Sequence, residues 1–547
     1  MRIVLVHPAG SNWIPGRKDI TATANRMAPL GLLSIAAYLE REGHEVFVHD
    51  CLGPQAVSGT AENVALILGS NPDLVGFSAT TSGFLDAWEM ATALKSARPA
   101  IRTVFGGVHV SALGASLLER FDHIDFLASG EGEATLAALA AGDSPAGIDG
   151  LIWKEGGQVV ANPPRAPIAD LDALPFPAYE KLAGFPRGYN LPLFSYIGFP
   201  GATMITSRGC PYQCSYCDRS VFKRGYRANS PAYIYDHMHH LRTRFGVRHI
   251  NIYDDLFTAD RPRIAELCGM LTERPLGVQF NCAVRVGHTD RELLKTLKRA
   301  GCLMVSVGIE SADPEMMRRH KAGVTLDAVR ETVRQIHAAG LRTKGLFIFG
   351  MPGETPETVR ATSDFILSLD LDEMNMTKFS PLHGAPIWDE CASGVSGELN
   401  EDWRLMNCLN FVFKPNGFQS REEMDALYNW HVTRFYRSRN YQRRFARRIW
   451  QHRWSLWHVI KHLPQTVAAA RYFAANREAL ERSKRGFSRH PRQPVGLRPQ
   501  LSPELQADVV AAMSPIRVSR RVKSAATPVK GLESPPQPAG SCAAGTI

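Results

Sequence analysis

The sequence predicts an α/β protein: an N-terminal doubly wound parallel sheet, then a partial (β/α)6 barrel, then a helical C-terminal region. Three observations predict it. Strand-like apolar runs alternate with stretches of helical periodicity in two separate blocks, the rhythm of βαβ units. Residues 151–197, poor in periodicity, part the two blocks; they hold Pro163, Pro164, Pro167, Pro175, Pro177, Pro186 and Pro192 and read as an extended connector. Polar or glycine-rich segments follow the strand-like runs, at the strand ends where such sheets and barrels bind ligands.

In residues 1–150, strands are predicted at Ile3–His7, His44–Asp50, Leu74–Ser78, Thr103–Phe105 and Phe126–Ala128. Helices are predicted at Pro29–Glu42, which closes at Gly43, at Val64–Leu68 and at Phe84–Ala97. Three strand ends carry candidate ligand loops: Ser78-Ala-Thr80-Thr-Ser-Gly83, Gly106-Gly107-Val-His109 and Ser129-Gly130-Glu131-Gly-Glu133. In the second block, strands fit Met204–Ser207, His249–Tyr253, Val278–Asn281, Met304–Gly308, Arg342–Phe349 and Glu373–Lys378, with helices such as Arg291–Ala300 and Leu326–Ala339 between them. From about Asn400 the pattern turns helical, aromatic and basic, and residues 486–547 dissolve into Pro, Ser, Ala, Gly and Arg, a composition that predicts disorder. The predicted divisions are therefore 1–150, 151–197, 198–395, 396–485 and 486–547.

Bulk properties narrow the class. A chain of 547 residues is long enough for two or three domains with their own cores. No run of about 18 apolar residues occurs, so a spanning helix is not expected. The opening Met1-Arg-Ile-Val-Leu-Val-His7 has a short apolar run and no small-residue cleavage site, so it reads as a buried strand rather than a signal peptide. A cytoplasmic protein is expected, and its ten cysteines then do not form a disulfide framework. Seven of them are scattered and read as small buried residues. The formal charge of +10 is local: residues 431–490 hold fifteen Lys and Arg against two Glu, so the rest of the chain is near neutral.

The other three cysteines are clustered in Ser207-Arg-Gly-Cys210-Pro-Tyr-Gln-Cys214-Ser-Tyr216-Cys217-Asp218. Three thiolates in eight residues can take three corners of an iron–sulfur cube. With no fourth cysteine nearby, one iron is left open, which suits a chelating substrate or cofactor better than electron transfer alone. Two other readings stand beside this one. The cysteines could line one helix face, although Gly209 and Pro211 sit badly inside a helix. They could hold zinc, which in a closed structural site takes four ligands.

The Cys-x3-Cys-x2-Cys pattern after the first barrel strand, with Tyr216 before the last cysteine, resembles the radical S-adenosylmethionine superfamily. The resemblance covers roughly residues 198–390. It implies that Cys210, Cys214 and Cys217 hold a [4Fe–4S] cluster and that the open iron binds S-adenosylmethionine, cleaved to a 5′-deoxyadenosyl radical. It gives Tyr216 a place near the adenine, and Glu310 in Ser306-Val-Gly-Ile-Glu310 a place on the ribose or amino group. Gly350, Met351 and Pro352 in Phe347-Ile-Phe-Gly350-Met-Pro-Gly-Glu354 would lie against the adenine. Asp254 and Asp255, in Asn251-Ile-Tyr-Asp-Asp255, are placed at the barrel mouth, and Arg285 against the cofactor's carboxylate or an anionic substrate.

The first 150 residues resemble the cobalamin-binding domain fused to one branch of that superfamily, on Met27–Val46, Phe105–His109 and Ser129–Glu133. This implies cobalamin as a third cofactor, with Ser78, Thr80, Gly106, Gly107, His109, Ser129, Gly130 and Glu131 as candidate contacts. No Asp-x-His-x-x-Gly segment supplies a histidine to cobalt, and the resembling branch usually lacks it too.

The implied activity is cobalamin-dependent methylation of an unactivated carbon, with a non-methylating rearrangement or oxidative cyclisation, as in magnesium-protoporphyrin ester cyclases, as the alternative. The implied partners are a small lipid- or pigment-like substrate and an electron donor such as flavodoxin or ferredoxin. Trp450, Trp454 and Trp457, set at helical spacing among arginines, fit either a lid on the barrel or peripheral contact with the inner face of a membrane. No nucleic acid is expected as a partner.

Overall fold

The first block folds as a seven-stranded sheet in the computed structural model, which describes residues 1–10, 25–57, 59–461, 463 and 467. Its strands are β1 (Arg2–His7), β2 (Glu45–Asp50), β3 (Leu74–Ser78), β4 (Arg102–Gly106), β5 (Phe126–Ala128), β6 (Leu151–Glu155) and β7 (Gln158–Ala161), in the order β2-β1-β3-β4-β5-β6-β7. The connecting helices are α1 (Leu30–Arg41), α2 (Thr60–Gly69), α3 (Phe84–Ala97), α4 (Val108–Leu113), α5 (Ser116–Arg120) and α6 (Glu133–Ala141). Alternation along β1 feeds two cores: Ile3 and Leu5 pack with α1 and α6, Val4 and Val6 with α2 and α3. Strands β1 to β5 are parallel, and the strand order reverses between β1 and β3, which opens a crevice at their C-terminal ends.

The predicted connector begins differently. Strands β6 and β7 extend the sheet antiparallel from β5. They are joined by Gly156 and Gly157, with φ of +56° and +84°; a two-residue hairpin turn with both φ positive favours such a pair.

The second block forms a six-stranded parallel sheet, β15-β14-β13-β12-β11-β8, the half-barrel the sequence predicts. Its strands are β8 (Gly201–Met204), β11 (His249–Ile252), β12 (Gln279–Arg285), β13 (Cys302–Glu310), β14 (Arg342–Phe349) and β15 (Glu373–Lys378). Helices α7 (Pro231–Phe245), α8 (Arg261–Glu273), α9 (Arg291–Arg299), α10 (Pro314–His320), α11 (Leu326–Ala338) and α12 (Pro356–Ser368) cover it. Six of these six helices begin behind a Ser, Thr or Asp whose side chain accepts from a backbone N–H of the first turn. The predicted first strand ends early, at Met204, and a separate short pair follows: β9 (Ser207–Arg208) against β10 (Arg227–Ala228).

The C-terminal region contains α13 (Trp388–Ala392), a hairpin of β16 (Gly397–Leu399) and β17 (Phe413–Pro415), then α14 (Arg421–Tyr436), α15 (Arg439–Arg448) and α16 (Arg453–Lys461). It is thus not purely helical. Tyr428 and Tyr436 on α14 donate hydroxyl protons to the carbonyls of Met376 and Met374, which seats α14 against β15. Helix α15 ends in a 3-10 turn at Ile449–His452, so the three tryptophans do not share one continuous helical face. Trp454 stacks on Phe199, while Trp450 and Trp457 are 84% and 58% exposed. No described helix is long and apolar enough to cross a membrane. The predicted disordered tail, 486–547, lies outside the described residues.

Candidate functional site

All three clustered cysteines sit on the loop between β9 and β10. Buried Asp254 fixes where that loop starts. Its carboxylate accepts from the backbone N–H and hydroxyl of both Thr206 and Ser207, which pulls the chain away from β8. Burial raises the Asp254 pKa against these donors. Asp254 is therefore an anchor beneath the loop, with its oxygens taken, rather than a group facing a cofactor. Gly209 then turns with φ +86°, and a Cβ there would lie 1.9 Å from the Gly225 carbonyl oxygen, so only glycine fits.

Cys214 is buried and Cys217 exposed. A hydrogen bond from the Cys217 thiol, helped by Lys321, Tyr216 and Arg285, pulls the Cys214 pKa down. The same hydrogen bond pushes Cys217 up, and burial pushes Cys210 up. Arg285 Nη1 lies 3.7 Å from the Cys214 sulfur, and its guanidinium carbon lies 3.9 Å from the Tyr212 ring centre.

The strand ends behind the cysteines converge on a short segment that sequence reasoning missed, His320–Lys321–Ala322. The His320 backbone carbonyl accepts from Ser215 N–H at 3.1 Å. The His320 ring is paired with the Ser215 hydroxyl at 2.8 Å and with the Pro352 carbonyl at 2.8 Å. Lys321 Nζ donates to Gly308 O at 2.7 Å and to Glu310 at 2.9 Å, and Ala322 O accepts from Arg285 at 2.8 Å. One tripeptide thus ties the cysteine loop to the ends of β12, β13 and β14. Glu310 has φ +71° at an irregularity in the β13–β14 pairing, the kind of strain found at functional sites.

The predicted adenine-side residues divide. Met351 is fully buried in an apolar cluster with Met316 and Phe379, against which Tyr216 packs. Gly350, at φ +101°, lets Met424 and Phe411 approach, with a Cβ there only 3.0 Å from Met424 Cε. Its side of the chain therefore faces the C-terminal cover. Pro352 presents the carbonyl that His320 holds.

A cavity of about 490 Å³ lies at the C-terminal ends of β1, β3, β4 and β5. Ser78, Thr80, Gly106, Gly107, Gly130 and Glu131 line it, and Cys210 and Asp255 belong to the same lining. A Cβ on Gly107 would lie 2.9 Å from Ala79 O, and one on Gly76 would lie 2.9 Å from Leu5 Cδ2, so these glycines let the wall's neighbouring strands pack closely. Two predicted contacts are elsewhere. His109 is 1% exposed, bonded to the Thr81 hydroxyl and packed between Phe84 and Trp403. Ser129 spends its backbone N–H on Gly150 O and is not part of the lining. Glu131 lines the cavity, but its carboxylate is held by Arg208 and Arg227.

The donor sets fit the implied groups. Three thiols beside two cations suit an anionic cluster. A glycine-walled space at a topological switch point suits a large planar cofactor.

Comparison with known proteins agrees. The radical SAM superfamily description matches residues 204–366 and the B12 binding domain description matches residues 16–140. An uncharacterized methyltransferase of Pyrococcus horikoshii is 32% identical over 428 residues, 77% of this chain and 90% of the relative. The anaerobic magnesium-protoporphyrin IX monomethyl ester cyclase of Rubrivivax gelatinosus is 26% identical, covering 78% of this chain and 76% of the relative. In fold, the radical S-adenosylmethionine methyltransferase TsrM of Kitasatospora setae superposes with a TM-score of 0.57 at 24% identity, over 78% of this chain and 81% of that one. The chain belongs to the radical S-adenosylmethionine enzymes that carry a B12-binding domain, and its cofactors are a [4Fe–4S] cluster, S-adenosylmethionine and cobalamin.

Proposed function

We propose that the chain is a C-methyltransferase acting on an unactivated carbon of a small hydrophobic metabolite, of lipid or pigment type. The observation that carries this reading is one cavity whose walls include both the Gly106–Gly107 strand end and Cys210. Radical methyl transfer needs cobalt, cleaved S-adenosylmethionine and the substrate carbon in one shielded space, and the protein's part is to place them there. When bound, the cluster with S-adenosylmethionine supplies a hydrogen-abstracting 5′-deoxyadenosyl radical, and cobalamin supplies the methyl group.

The chain's own residues do the placing. Cys210, Cys214 and Cys217 hold the cluster, and Arg285 and Lys321 offset its negative charge. In this reading Glu310 takes the ribose or amino group, Tyr216 and the Met351–Pro352 backbone flank the adenine, and Ser78, Thr80, Gly106, Gly107 and Gly130 face cobalamin. We assign residues 1–150 to cobalamin, 198–395 to radical chemistry and 396–461 to their cover. An electron donor of flavodoxin or ferredoxin type reduces the cluster. Exposed Trp450 and Trp457 beside exposed Arg447 and Arg453 support a cytoplasmic enzyme that touches the inner face of a membrane.

A second reading, oxidative cyclisation without methyl transfer, is favoured by the likeness to the ester cyclase. Both readings require radical formation. Anaerobically reconstituted, reduced protein is expected to make 5′-deoxyadenosine from S-adenosylmethionine, and Cys214→Ala none. If cluster-loaded wild type makes none, both readings fail.

A further inference from the structure

Both ends of the cysteine loop are held by one carboxylate. Arg208 stands immediately before Gly209 and Cys210, and Arg227 closes the loop at its far end; the two residues pair across β9 and β10. Glu131, from the strand-end loop after β5, accepts from Arg208 Nη1 at 2.5 Å and from Arg227 Nη1 at 2.9 and 3.1 Å. Arg208 also reaches Glu133 at 2.7 Å. Connector residue Ile168 joins in, its N–H donating to Glu131 at 2.8 Å and its carbonyl accepting from Arg227 at 2.5 Å.

Two guanidiniums and two carboxylates make a network without net charge, which is the condition for burying one. The side chains of Glu131 and Glu133 are only 5% and 4% exposed, those of Arg208 and Arg227 14% and 15%. Burial opposes the charge on Glu131, and the two arginines outweigh it, holding its pKa below the usual carboxylate range. Arg208 spreads its two terminal nitrogens over Glu131 and Glu133, and Arg227 reaches both Glu131 oxygens and the Ile168 carbonyl through one nitrogen, which fixes direction as well as distance.

We infer that Glu131 is a positioning residue: by gripping Arg208 and Arg227 it sets the cysteine loop at a fixed distance from the cobalamin cavity. Its oxygens are used, yet it stands on the cavity wall, so a shift of Glu131 moves the loop that carries all three thiols relative to Gly106, Gly107 and Gly130.

The test uses holoprotein carrying both cofactors, with cob(II)alamin and reduced cluster present together. Dipolar coupling between the two paramagnets, read by pulsed electron paramagnetic resonance, reports their separation without any substrate. Wild type is expected to give one narrow distance. Glu131→Gln, with the same cofactor content, is expected to give a distribution at least twice as broad, and Arg227→Lys, which keeps the charge but not the guanidinium nitrogen shared by Glu131 and the Ile168 carbonyl, a similar broadening. Variants that keep the wild-type distribution overturn the proposal, and they do so even when their melting temperature falls, because Glu131 would then support the fold alone. Should Glu131→Gln not fold, Arg227→Lys decides by the same comparison. The inference rests on the cofactors assigned above, and the outcomes separate: wild type that retains no cobalamin fails that assignment, whereas equal distributions fail only the clamp.

Discussion

Glu354 is a carboxyl group sealed from water, 2% exposed, with its side chain accepting from Gly350 N–H at 2.5 Å. Burial pushes its pKa up to about 8. The folded form therefore keeps a proton that the unfolded chain releases near the ordinary carboxylate range. A raised folded pKa contributes stability below the unfolded value and loses it as pH rises through the folded one. Stability of the cofactor-free protein is expected to fall between about pH 5 and 8, with a slope approaching ~1.4 kcal/mol per pH unit from this group. Glu354→Gln removes that slope; denaturant midpoints across a pH series check it, and parallel curves would contradict it. His320 makes a different prediction. His320→Ala leaves Ser215 and the Pro352 carbonyl without their ring partner, a loss of roughly 1–3 kcal/mol. Iron retained after gel filtration is expected to drop several-fold, and unchanged iron content and 5′-deoxyadenosine rate would dismiss the bracing role. At this scale the cysteines were legible because their chemistry lies in spacing along the chain. His320 and Lys321 were not, since nothing in Arg-Arg-His-Lys-Ala announces that one tripeptide meets three strand ends. Asp254 was legible as a strand-end carboxylate, but not that Thr206 and Ser207 would use up its oxygens.

Elements with strong periodicity were read closely. β3, β14 and β15 fall where predicted: β3 is an apolar run buried almost throughout, and β14 and β15 alternate buried with less buried residues, Phe347 and Phe349 on the one and Met374 and Met376 on the other facing the core. β6 and β7 were overlooked under the weight of the prolines that follow, although Gly156-Gly157 between apolar runs is a hairpin signal. The C-terminal tryptophans show the limit of helical spacing: the 3-10 turn at Ile449–His452 rotates Trp450 away, and only Trp454 packs inward, on Phe199. The two roles separate by mutation. Replacing Trp450 and Trp457 together by serine is expected to weaken binding to anionic phospholipid vesicles about tenfold in co-sedimentation, by removing two interfacial aromatic rings. Trp454→Ser is expected to lower the melting temperature instead and to leave vesicle binding near wild type. Equal sedimentation of wild type and the double variant would remove the membrane contact.

For the whole molecule, composition and rhythm predicted two α/β blocks in series, and both are present. Their joint could not be read. Glu131 lies 77 residues from Arg208 and 96 from Arg227, and a glutamate in a glycine-rich loop carries no mark of distant partners. The cavity between the blocks is likewise a product of packing, lined by Gly106 and Gly107 from the first and by Cys210 from the second. The central claim is that this space transfers a methyl group to carbon. The most direct measurement compares metabolites of the host with the intact gene and with a Cys214→Ala copy, both fed methionine deuterated in its methyl group. The account predicts a metabolite, present only with the intact gene, heavier than its precursor by one methylene unit and carrying label from the donor methyl. A gene-dependent product that carries no such label would contradict it and leave the cyclising reading in its place.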